Sequence, residues 1–244
     1  MINKLYTYII TDDNGLSPCY DHNTFTLACC KPQIRRMIYS RYRDDIKSGD
    51  ANIWIAGIKR DKVTGEPFIV YIAKISDVIK LEEYYRDGSD YAARSDCKYR
   101  NVKTVEELPV SFKKKDRLFE RYFPDIYAKE NNEHGKFKDL NELNKWPDAK
   151  YNSICKDICG RCVLISDMFA HCSWENDKYA LTQKLMPCME SVLDGYRDKN
   201  MRHFHSFSDW TEFENCIKKI DFNSGLTVTP LDKWNGCKKH CGCC

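Results

Sequence analysis

Apolar positions along this chain alternate between two periods. Leu5 to Ile10 is almost wholly β-branched or aromatic and stops at Asp12-Asp13-Asn14-Gly15, which predicts a strand closed by a turn. Residues 31–47 open on Lys31-Pro32 and continue with Ile34, Met37, Ile38, Tyr42 and Ile46 at helical spacing, so a helix follows. Ile53-Trp-Ile-Ala-Gly-Ile58 and Pro67-Phe-Ile-Val-Tyr-Ile-Ala-Lys-Ile75 flank the polar, Gly-containing stretch Lys59–Glu66, the pattern of a β-hairpin. Ser76-Asp77 ahead of Val78, Ile79, Leu81, Tyr84 and Tyr85 predicts a capped helical turn.

Further on, the period is lost. From Arg86 to about Lys150 the chain is charged and aromatic, with Lys113-Lys-Lys-Asp-Arg117 and Glu130-Asn-Asn-Glu-His-Gly135, and reads as a loop-rich insertion carrying short elements rather than a second core. Val163–Ser166 is a strand candidate, while 184–196 and 208–220 regain helical spacing. No internal repeat or low-complexity linker divides the chain. The expectation is one domain over 1–234, with a helical part near 180–222 and a Cys-rich tail over 235–244.

Composition changes this picture little. In 244 residues, 39 Lys and Arg face 36 Asp and Glu, so a basic surface has to be local if nucleic acid is the partner. The first ten residues lack the long apolar core and small-residue cleavage site of a signal peptide, and no stretch approaches a membrane span. A soluble cytoplasmic protein with no membrane partner is therefore expected. In that setting the 14 cysteines read as reduced thiols or metal ligands rather than a disulfide framework.

The order strand, Asp-Gly turn, Thr26-Leu-Ala28, Cys30-Lys-Pro32, Ile34-Arg35, Trp54-Ile55, Gly57 and Val70-Tyr71 resembles the second family of nucleotide-modification-associated domains. The likeness is most specific over 5–85. It continues through Tyr84-Tyr85-Arg86-Asp87, Val163–Ser166, Phe169 and Arg202-His203, while Ala51-Asn-Ile between Gly49-Asp50 and Trp54 departs from the family pattern. The resemblance implies phage and bacterial systems that install or answer modified bases. At fold level the pattern is also similar to PUA and EVE domains, which seat a modified base in a small β-barrel. The expected fold is α+β: a mixed, strongly curved sheet or PUA/EVE-like barrel with flanking helices and a helical C-terminal extension.

The candidate chemistry follows from residue types. Lys31, Arg35 and Arg36 lie at the start of the predicted helix, where free N–H groups and the dipole favour an anion and Arg offers a bidentate phosphate donor. Trp54 and Tyr71 are candidate stacking surfaces for a base, and Asp13 completes the ligand-binding set through the resemblance. Cys30, on a cationic helix start, and His203, which alternates with His205, are the catalytic candidates. Adjacent Cys29 and Cys30 face opposite ways, so at most one meets a pocket.

Cys155, Cys159, Cys162 and Cys172 have spacing compatible with a structural zinc ion, and Cys237, His240, Cys241, Cys243 and Cys244 are a second soft-metal cluster. No phosphate loop, serine elbow or His-Glu-x-x-His motif is present. Recognition of modified DNA or a modified nucleotide is the favoured function. An enzyme acting on such a base through Cys or His stands second, and a protein-interaction module third.

Overall fold

A computed structural model describes residues 1–10, 17–110, 112–130, 132, 134–172, 178–198, 204–205, 210–220 and 222. Its strands and helices run β1 (Ile2–Ile9), β2 (Phe25–Leu27), α1 (Pro32–Ser48), β3 (Ala51–Arg60), β4 (Pro67–Lys74), β5 (Asp77–Lys80), α2 (Leu81–Tyr84) and β6 (Tyr99–Arg100). Then come α3 (Leu118–Tyr122), β7 (Tyr127–Ala128), α4 (Leu140–Asn144), α5 (Asp148–Ile158), β8 (Cys162–Ser166), β9 (Met168–His171), α6 (Ala180–Arg197), β10 (Phe204–His205) and α7 (Trp210–Ile217). The chain divides into two compact units. One comprises 1–12, 48–75 and 166–244, the other 13–47 and 76–165.

The first unit is built on a five-stranded sheet ordered β10-β1-β3-β4-β9. β1 runs parallel to β3 in the register Leu5 opposite Trp54, and the predicted hairpin appears as antiparallel β3 and β4. Its loop is fastened by Asp61, whose carboxylate accepts from the N–H groups of Val63 at 2.7 Å and Thr64 at 3.1 Å, with Gly65 taking φ +77°. On α6, Leu181, Leu185, Cys188, Met189, Val192, Leu193 and Tyr196 form the apolar stripe. With α7 they share one core with Leu5, Trp54, Ala56, Ile69 and Ile72. These helices are thus part of the unit's core rather than an extension from it.

The second unit holds a three-stranded sheet ordered β2-β8-β5 and the short pair β6-β7. Its core contradicts the loop-rich expectation for 86–150: Cys97, Tyr99, Val102, Leu118, Phe119, Phe123, Ile126, Phe137 and Leu143 are all buried together with Tyr84, Tyr151 and Ile154. The elements there are only two to five residues long, so their apolar positions show no sustained period. Residues 77–80, expected as a helical turn, are the strand β5 pairing with β8, and the helix is the single turn α2 behind it. Val78 and Ile79 are β-branched, and pairing across the unit decides what local spacing left ambiguous.

The α+β class holds, but among the described residues no sheet closes into a barrel. No described helix is long and apolar enough to cross a membrane.

Candidate functional site

The turn ahead of α1 is where the sequence pointed. Cys30 and Lys31 both take positive φ, +58° and +42°, which for non-glycine residues stores strain that the surroundings must hold. The hold is visible. Arg35 is fully buried and donates Nε to Cys30 O at 3.0 Å, Nη1 to Cys162 O at 2.8 Å and to Ala28 O, and Nη2 to Lys156 O at 3.3 Å and to Asp157 O. Five carbonyls from three segments therefore converge on one guanidinium. Arg35 ties the turn to α5 and β8 instead of facing solvent, which corrects its expected role as a ligand contact.

The anion expected at this helix start is also the protein's own. Cys30 N–H donates to Oδ1 of the buried Asp157 at 2.9 Å, while Oδ2 receives the Tyr99 hydroxyl at 2.6 Å and lies 3.2 Å from His134 Nε2. Burial alone would raise the Asp157 pKa. The nearby His134 imidazole, the Tyr99 hydroxyl and the Cys30 N–H outweigh it and hold the carboxyl below its ordinary value. His134 emerges only in the structure, because nothing in the spacing of Glu133-His-Gly135 reveals that it meets residue 157.

A second buried network lies behind β2. Thr26 Oγ1 donates to Asp96 Oδ2 at 2.6 Å and accepts from Arg94 Nη2 at 2.9 Å, and the Tyr84 hydroxyl also donates to Asp96. Here burial wins, and the Asp96 pKa is raised despite Arg94. Thr26 of the motif and Tyr84 thus serve internal packing.

One helical position away from Arg35 the environment reverses. Arg36 is half-buried, its Nη1 is shielded, and that donor has no hydrogen-bond partner among the described residues. Burial first, then the neighbouring Arg161 guanidinium, lowers its pKa, with Glu106 opposing. Arg161 Nη1 meets Glu106 Oε2 at 3.0 Å, Tyr39 donates its hydroxyl to Glu106 Oε1 at 3.1 Å, and Arg43 Nη1 reaches the Tyr39 oxygen at 3.1 Å. Arg36, Tyr39 and Arg43 recur at i, i+3 and i+7, the spacing of one helix face. Glu106 pairs with Arg161, while Arg36 feels both charges without an ion pair or hydrogen bond to Glu106 among the described residues. This is the local cationic surface that overall composition left open.

The other expected site residues are placed as follows. Trp54 is 6% exposed and packs edge-on against Phe213 with centroids 5.6 Å apart, and Tyr71 is fully buried with its hydroxyl bonded to that of Tyr8. Neither ring presents a face for a base to stack on, a correction to both. Gly57, between them in the motif, has no room for a Cβ, which would collide with Ile10 Cδ1 and the Tyr71 ring. Lys31 is half-buried beside Cys30. Asp13 and His203 lie outside the described residues, as does the terminal cysteine cluster.

Of ten described cysteines, nine are buried and Cys30 is half-buried, with Cys29 turned inward as adjacency requires. Burial pushes the Cys159 and Cys162 thiols up to about 12, and that of Cys155 higher still. Cys162 donates to Arg35 O at 3.3 Å, and in the other unit Cys172 accepts from Leu181 N–H at 3.3 Å. The four expected zinc ligands are not gathered: among the described residues no group of three or more His, Cys, Asp or Glu is placed to hold a metal ion.

A family model described as nucleotide modification associated domain 2 matches residues 2–226. The chain belongs to that family. Its membership covers both compact units, so 86–165, which carries Arg161, Glu106 and Asp157, is as much part of the domain as the motif over 5–85. No curated protein and no solved structure matches the chain.

Proposed function

We propose that this nucleotide-modification domain binds modified bases in DNA or modified nucleotides, in a phage or bacterial modification or defence system, and that it holds the phosphate on the Arg36–Arg161 face. One observation carries the reading: Arg36 keeps an unpartnered donor in the electrostatic field of Arg161, whose guanidinium already takes up the Glu106 carboxylate. An unpaired donor and a like-charge contact both cost free energy that a phosphate, with several acceptor oxygens, offsets. Family membership supports a nucleotide as the bearer of that phosphate.

The test is a binding screen against modified and unmodified deoxynucleotides and short oligonucleotides, with Arg36→Ala beside the parent chain. A loss of about tenfold or more with an unchanged melting temperature is expected for the loss of one such charged contact. Unchanged binding rejects the reading.

An enzyme acting through Cys30 is the second reading, favoured by one observation: Cys30 alone among the described cysteines escapes full burial, beside Lys31 at a helix start. Under it, Cys30→Ala leaves nucleotide binding intact and abolishes turnover seen by mass spectrometry. Turnover that survives this substitution removes the thiol from consideration.

A further inference from the structure

Glu106, the carboxylate paired with Arg161, is itself seated as an incoming anion would be. Glu106 accepts from Arg161 through one oxygen at 3.0 Å and from the Tyr39 hydroxyl through the other at 3.1 Å. Yet its side chain is 62% exposed, against 12% for Arg161. Arg161 does not depend on it for position, because Nη2 donates to the backbone carbonyls of Glu106 and, at 3.5 Å, Leu108. Arg36 is held by α1 and donates no hydrogen bond to Glu106 among the described residues.

We infer that Glu106 is an internal competitor for the phosphate seat: its carboxylate occupies the site in the unliganded chain and swings out when a nucleotide phosphate arrives. The inference rests on the reading that this face takes the phosphate. Glu106 hydrogen-bonds Arg161 and leaves the Arg36 donor unsatisfied, whereas a phosphate has enough acceptors for both guanidiniums. An exposed ion pair is cheap to break, so the exchange is driven by the phosphate's additional contacts and charge. Departure of Glu106 also changes the charge of the seat. With the carboxylate in place the three groups sum to one positive charge, and with it displaced the two guanidiniums face the phosphate alone. Such a device sets a threshold, since weakly charged anions do not displace Glu106.

Calorimetric titration of the full chain with inorganic phosphate and with a deoxynucleoside 5′-monophosphate at low salt tests this, using the parent, Glu106→Gln, Glu106→Ala and Arg36→Ala. Both Glu106 variants should bind about five- to tenfold tighter, the size expected for removing one partly screened carboxylate. Arg36→Ala should bind at least about tenfold more weakly. Unchanged or weaker binding in both Glu106 variants, with Arg36→Ala impaired, overturns the competitor and leaves the seat standing. Arg36→Ala binding as well as the parent overturns the seat itself, and absence of binding in every variant overturns both. A parent that fails to bind beside a Glu106→Gln variant that binds supports the competitor directly. Thermal melts of each variant establish that the comparison is between folded chains.

Discussion

Cys30 N–H points at Asp157 Oδ1 from 2.9 Å, so a buried carboxylate 127 residues away in sequence fixes the strained turn from which α1 starts. The first turn of α1 carries no acidic residue of its own, and Asp157 supplies the negative charge that the positive end of the helix favours. The turn is therefore balanced internally. The proposed phosphate contact lies one residue along the helix, at Arg36.

Asp157→Asn should destabilise the chain by about 3 kcal/mol at neutral pH, because it strands His134 and removes a charged acceptor from two hydrogen bonds. The effect depends on pH with a definite sign. The folded-state pKa of Asp157 is depressed, so its stabilisation is complete above the ordinary carboxylate value near 4 and is lost as pH falls through the lower folded value. Urea titrations of parent and variant should thus converge below about pH 4. A penalty that stays constant on acidification would show that the charge on Asp157 is not what stabilises the turn.

Arg35 and Arg36 should separate stability from binding. Arg35→Met leaves five backbone carbonyls short of a donor in a buried site and should lower stability by about 3 kcal/mol or more. Arg35→Lys should recover little of this, since one ammonium cannot span carbonyls arranged for a planar fork. Arg36→Ala should alter stability by less than about 0.5 kcal/mol, as for other partly exposed positions without fixed partners. Equal melting temperatures for the two variants would contradict the contrast drawn from their burial.

Trp54→Ala should cost about 3–5 kcal/mol through the cavity left against Phe213 and Phe222. Nucleotide affinity per folded molecule should be unchanged, because the ring is core rather than stacking surface. A selective loss of affinity in Trp54→Phe, which keeps most of the packing volume, would return Trp54 to the binding site.

Much of the scaffold was legible because its elements are long enough for a period to show. β1, the β3–β4 hairpin, α1 and α6 fall close to where the spacing of Leu5–Ile10, Ile53–Ile75, Ile34–Ile46 and 184–196 placed them. The motif residues proved to be structural: Pro32 opens α1, Thr26 serves Asp96, Gly57 makes room for Tyr71 and Arg35 clamps the turn. The site was less legible. Arg35 and Arg36 are adjacent and identical in type, and only the carbonyls of Ala28, Lys156, Asp157 and Cys162 decide which turns inward. Glu106 sits in the segment whose short elements hid a core and Arg161 in the turn between α5 and β8, so no local pattern joined them to α1.

Gly160 supplies the sharpest check on the clamp. A Cβ built there would fall inside contact distance of Arg35 Cζ, Nη2 and Nε, so the guanidinium occupies the space that a side chain at 160 would need. The glycine is therefore required by close approach rather than by its backbone angles, since its φ is not in the left-handed region. Gly160→Ala should expel or tilt the guanidinium and break the same hydrogen bonds that Arg35→Met removes. Because both act on one set of contacts, their costs should not add. The double variant is expected to be less destabilised than the sum of the single ones by at least about 1 kcal/mol, within the coupling range for residues in direct contact. Denaturant midpoints for the four chains measure this coupling. Additive penalties would mean that Gly160 is constrained by something other than Arg35, and the account of the turn as a guanidinium-clamped loop would fail at its tightest point.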